Sequence, residues 1–141
     1  MDFLNLCLRA QKELNLDPDV KFEKGEFCAY NIDNEIILLN WEDALSQGEE
    51  FYSFAEELFA DARQFSLSFL SLLHEFGHHY DTMEYDETLD YLLRVSVSKT
   101  EDYYRIPSEH AATEWAVNFI AQNREKCEEL NKLFKELEGS E

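Results

Sequence analysis

Phe69-Leu-Ser-Leu-Leu-His-Glu-Phe-Gly-His-His-Tyr-Asp81 is the stretch that decides how this chain is read. With Phe65 and Leu67 ahead of it, the lead-in is almost continuously apolar, which suits a helix buried on most sides. His74 and His78 stand four residues apart, so at about 3.6 residues per turn they share one face. Two imidazoles at that spacing can close on one metal ion, and Glu75 between them can reach water beside it, the HExxH arrangement. Gly77 costs up to about 1 kcal/mol inside a helix; it reads as a site of close approach by the sheet or a neighbouring helix, and Phe76 as packing. The pattern predicts a helix from Gln64 or Phe65 to about Met83.

Working outward, residues 2–15 carry Phe3, Leu4, Leu6, Cys7, Leu8 and Leu14 among polar positions, an amphipathic first helix ended by Asp17-Pro18-Asp19. Val20–Glu23, Phe27–Tyr30 and Ile36–Leu39 read as three short strands, with turns at Lys24-Gly25-Glu26 and Asn31–Asn34. The expectation is a small antiparallel meander. After Trp41 the chain reads as helical almost to its end. Glu49–Arg63 has an apolar face, Asp86–Val97 is a further helix, and Pro107 or Ser108 opens a helix to about Gln122. Residues 124–138 form a charged terminal helix with a Leu130, Leu133, Phe134, Leu137 stripe. No linker, repeat or low-complexity tract divides these parts, so residues 1–141 read as one α+β domain, mostly helical, with 124–141 as its terminal helix.

Composition narrows the function. An apolar fraction of 45% with 11 Phe and 7 Tyr supports a packed core, and only 4 Gly and 2 Pro favour helices over a many-stranded sandwich. Twelve Lys and Arg against 31 Asp and Glu give a net charge of −19. That balance disfavours direct contact with nucleic acid or an anionic membrane and favours a basic protein partner. Cys7, Cys28 and Cys127 are odd in number, widely spaced and lack a CxxC pair, which argues against a disulfide framework or a cysteine zinc site. No signal peptide or membrane span is visible, and the expected compartment is the cytoplasm.

Two histidines need a third protein ligand to make a catalytic metal site. Glu84 lies six residues after His78, but Asp81 stands where the sharp turn of that arrangement needs glycine. The later segment Pro107-Ser-Glu-His-Ala-Ala-Thr-Glu-Trp-Ala-Val-Asn-Phe-Ile-Ala121 offers Glu109 and Glu114. Glu109 shares a face with Ala112, Ala116 and Ile120, a small-residue stripe that lets another helix come close. Glu109 is the choice on face geometry, with Glu114 as the alternative. Asp81 could hold a ligand's ring N–H, and His79, rotated by about 100°, reads as a structural histidine. His110, Tyr103 and Tyr104 are candidates for polarising a carbonyl or stabilising an oxyanion.

His74-Glu-Phe-Gly-His78 followed by Glu109-x-x-Ala112-Thr-x-Trp115-Ala116 resembles the ImmA/IrrE group of small gluzincin-like metallopeptidases. Thr113 and Trp115 depart from the Asn or Asp and the Phe of that pattern. The resemblance covers roughly residues 1–122 and implies a zincin-like fold with an HExxH active-site helix. It also implies Zn2+ held by His74, His78 and Glu109, with Glu75 as the general base toward water and the leaving amine. The implied substrate is a protein, including DNA-binding regulators of phage or mobile elements. The alternative reading is an acidic zincin-fold binding protein or inhibitor, a nucleic-acid mimic whose zinc is structural.

Overall fold

The computed structural model describes residues 2–46, 48–81, 87–96 and 103–139. Helix α1 (Phe3–Glu13) is capped by Asp2, whose Oδ1 accepts the Asn5 amide at 2.8 Å. Three short strands follow: β1 (Lys21–Lys24), β2 (Ala29–Asn31) and β3 (Ile36–Leu39). Then come α2 (Trp41–Ser46), α3 (Gly48–Leu58), a 3-10 turn (Ala62–Gln64), α4 (Leu67–Tyr80), α5 (Glu87–Ser96), α6 (Pro107–Gln122) and α7 (Arg124–Gly139). The α+β, mostly helical reading holds.

The sheet corrects one expectation. Its order is β1-β3-β2, with β1 parallel and β2 antiparallel to β3, so it is mixed and not an antiparallel meander. The most apolar strand takes the centre, where both edges are paired and Ile37 and Leu39 enter the core. The link from β1 to β2 must then pass over the end of β3. Gly25 makes that possible: its amide bonds the Leu39 carbonyl at 3.0 Å, and a Cβ there would lie 3.0 Å from the Leu38 Cβ.

Helix α3 ends at Leu58, short of the expected Arg63. The turn after it brings Phe59 within 6.3 Å of Phe65, and Arg63 folds back onto both oxygens of Glu49 at 2.7 Å. Helix α4 begins at Leu67 because Ser66 caps it, accepting the Phe69 amide. Helix α7 closes the same end. Asn131 Oδ1 accepts the Ser66 amide at 2.8 Å, and the Glu138 carboxylate accepts the Ser68 amide and hydroxyl at 3.0 and 2.7 Å. An anion at a helix N-terminus is stabilised by the amides and the dipole there. Helix α4 ends at Tyr80, short of the expected Met83, because Asp81 is already extended as its C-cap; the expected ends at Asp86 and Val97 lie outside the described residues.

Helices α4 and α6 make the most extensive contact between elements, and small residues on both sides cause it. A Cβ built on Gly77 would lie 2.3 Å from the Ala112 carbonyl oxygen and 2.9 Å from its Cα. The expected effect of Gly77→Ala therefore has the opposite sign from helix propensity, which favours Ala by about 1 kcal/mol. The clash is with backbone, which no rotamer relieves, so the net result is a loss of about 1–3 kcal/mol. Urea unfolding checks it; an unchanged or raised midpoint would show that the helices do not cross this closely.

A candidate metal centre

The helix crossing at Gly77 and Ala112 brings the two motif segments together. His74, His78 and Glu109 form a group, mostly buried, whose ligand-type atoms all lie within 4.8 Å of one another. Glu109 Oε1 is 2.9 Å from His74 Nε2 and 3.2 Å from His78 Nε2, and its Oε2 is 3.1 Å from His78 Nε2. Ligands about 2.0–2.1 Å from a tetrahedral ion stand about 3.3 Å apart. Two imidazole nitrogens and a carboxylate oxygen this close together could hold a divalent ion. The stripe on α6 faces inward as expected, with Glu109, Ala112, Ala116 and Ile120 all buried. Glu114 is exposed and has no part in the group, and Glu84 lies outside the described residues.

Two partners went unread in the sequence. Thr113 Oγ1 is 2.9 Å from His74 Nδ1. With Nε2–H donating to the Glu109 carboxylate, the neutral ring accepts the Thr113 hydroxyl at Nδ1; with an ion on Nε2 the proton would sit on Nδ1 and the same oxygen would accept it, as outer partners of ligand histidines do. Thr113 is one turn beyond Glu109, so its spacing was available as a signal. Arg94, on α5, donates from Nη2 to Glu109 Oε2 at 3.0 Å and from Nη1 to the Tyr103 hydroxyl at 3.2 Å. No spacing rule connects it to Glu109.

Other sequence candidates fall elsewhere. His79 points away from the group: its Nε2 lies 2.8 Å from Asp17 Oδ2 and its Nδ1 2.6 Å from the Tyr30 hydroxyl. With Nε2–H donating to Asp17, Nδ1 accepts from Tyr30, and the ring ties α4 to β2 and to the loop before β1. His110 packs edge-on against Phe54, 5.4 Å between centroids. Tyr104 is buried against Phe51 and Phe54 and meets the His74 ring edge-on at 6.3 Å between centroids, while Tyr103 reaches Glu109 through Arg94. Asp81 ends α4 as its C-cap.

Glu75 is the buried carboxylate beside this group, 5% exposed, and no described residue hydrogen-bonds it. Burial raises its pKa above the ordinary 4.5, against the opposing pull of His74 and His78. Burial would raise Glu109 too, but hydrogen bonds and charge from His74 and His78 outweigh it and hold that carboxyl far below the usual range. For His78, burial lowers the pKa, yet Glu109 outweighs it and the net direction is upward from 6.5. These directions set the pH response of the metal-free protein. The depressed Glu109 contributes stability above 4.5 that is lost as pH falls through its folded pKa. The raised His78 contributes stability below 6.5 that is lost as pH rises through its folded pKa, and raised Glu75 also disfavours the fold once it ionises. Thermal melts in chelator are therefore expected to fall between about pH 5 and about pH 8. Saturating zinc is expected to remove most of that fall, since neutral imidazoles bind metal. A chelated protein equally stable at both pH values would contradict the pairing.

Cys7, Cys28 and Cys127 are free thiols, and no described helix is long and apolar enough to cross a membrane. Comparison with family models, with curated proteins and with solved structures finds no match to this chain.

Proposed function

We propose that this chain is a zinc-dependent metallopeptidase that hydrolyses peptide bonds of a protein substrate. The observation that carries the reading is the His74–His78–Glu109 group with Glu75, a buried carboxylate free of described hydrogen-bond partners, on the same helix turn. Held by His74, His78 and Glu109, zinc would supply a Lewis acid and bring the pKa of water to about 7. With the ion bound, His74 and His78 would turn Nε2 lone pairs to it, and Thr113 Oγ1 would accept the Nδ1–H that this tautomer of His74 carries. Glu109 contributes one oxygen, while Arg94 holds the other and so fixes the carboxylate plane. Glu75 takes a proton from the attacking water and returns it to the leaving amine. Its upward shift brings its basicity closer to that task at neutral pH.

The net charge of −19 supports a basic protein as substrate and argues against nucleic acid or an anionic membrane. The resemblance to ImmA/IrrE-like peptidases points toward DNA-binding regulators, including those of phage. Three unpaired thiols support a cytoplasmic address. The same charge favours a second reading, an acidic binding protein whose metal is structural. Incubation of zinc-loaded protein with a library of Lys- and Arg-rich peptides tests the first. Cleavage is expected, abolished by chelation and restored by zinc. Failure to cleave with zinc, manganese or cobalt would overturn the peptidase reading and leave the binder.

A further inference from the structure

Helix α5 inverts the usual arrangement of a surface helix. None of its residues from Thr88 to Ser96 is buried. Among the described residues nine large apolar side chains are exposed, and five of them fall in this one helix, including Tyr91 at 63% and Val95 at 61%. At about 100° per residue, Tyr91, Leu92, Leu93 and Val95 form a continuous outward arc, while Asp90 and Arg94 share the opposite edge. Among the described residues, that polar edge carries the hydrogen bonds that attach the helix. Asp90 accepts the Ser108 amide and hydroxyl at 3.1 and 2.9 Å, and Arg94 Nη2 donates to Ser108 Oγ at 2.8 Å and Glu109 Oε2 at 3.0 Å. The apolar arc is thus pinned beside a candidate metal ligand and turned to solvent, where a contiguous apolar patch marks an interaction surface.

Charge decides among the occupants. Between Asp81 and Asp102 the sequence holds seven acidic residues and two basic ones, and Arg94, one of the two, is turned inward on Glu109 and Asp90. A second copy would bring another −19 against the first. A lipid surface is poorly matched, because interfacial helices flank their apolar face with Lys and Arg. We propose that α5 is the docking face for a basic polypeptide segment that presents apolar side chains at helical spacing, and that this segment belongs to the substrate. Only the second clause rests on the peptidase reading.

Binding tests the first clause without turnover. The full-length, zinc-loaded Glu75→Gln protein is titrated into a fluorescent peptide with Leu and Lys at amphipathic helical spacing, and into a control with Ser in place of Leu. The Leu–Lys peptide is expected to bind, and Leu92→Ser with Val95→Ser to weaken it about tenfold or more while leaving the control unchanged. Both residues are exposed, so circular dichroism is expected to show an intact fold. Equal binding by the double variant, or by the Ser control, would overturn the proposal. So would dimerisation, or uptake by phosphatidylcholine vesicles, that the same substitutions abolish. Absence of hydrolysis by the wild type with docking intact would sink the peptidase reading alone.

Discussion

Glu75→Gln is expected to lower peptide hydrolysis by about 10²–10⁴-fold, with fold and metal content unchanged. The substitution keeps the volume of the side chain and removes its capacity to accept a proton. Glu75 lies 5% exposed within the field of His74, His78 and Glu109, and no described residue donates a hydrogen bond to it. A buried carboxylate in that position is costly, so the neutral amide leaves stability unchanged or slightly higher, most visibly as pH rises through the raised pKa of Glu75. Initial rates on the best cleaved library peptide, beside thermal melts and metal content, make the check. Retained turnover would remove Glu75 from the chemistry. Partner binding that survives the substitution, in a chain that never cleaves, is the result that favours the acidic binder.

The second large effect concerns Glu109→Ala. Glu109 Oε1 meets both histidines and Oε2 meets Arg94, all around a carboxylate that is 3% exposed. Its loss removes the only anionic member of the metal group and leaves His78 and Arg94 facing each other. Losing an outer partner of a metal site costs 10–100-fold in affinity, so loss of a ligand is expected to cost zinc affinity at least about 100-fold. The metal-free protein is expected to lose about 3 kcal/mol, near the lower end for a broken buried pair, because Arg94 is 36% exposed and regains water. That corresponds to about 10 °C in Tm. Glu114→Ala is the control: the side chain is exposed, and neither metal nor stability is expected to change. Isothermal titration with zinc and scanning calorimetry distinguish the two variants. Metal loss from the Glu114 variant and not the Glu109 variant would reverse the ligand assignment.

Much of the site was legible because it is written in helical spacing. His74, Glu75 and His78 occupy one turn of one helix, and Glu109 heads a stripe of small residues whose only use is close approach. Gly77 supplies the other half of that crossing, so two unrelated segments each carried a mark of the same contact. Thr113 sits where spacing alone would put a partner for a ligand histidine, yet it reads first as a departure from a familiar pattern. Arg94 was illegible for a different reason: α5 reaches Glu109 through tertiary packing, and nothing local to either helix encodes the meeting. The sheet failed similarly. Alternation and turn residues favour neighbouring strands as hairpins, whereas the parallel pairing of β1 with β3 depends on which strand the core demands at its centre. The segment of α5 was read in sequence only as a further helix, and the outward direction of its apolar arc needed the positions of Asp90 and Arg94.

The metal content of purified protein, wild type beside His74→Ala, tests the central assignment most directly. Elemental analysis is expected to find stoichiometric zinc in the wild type, lost on substitution. A metal-free wild type that is fully folded, or a His74 variant that retains the ion, would contradict it.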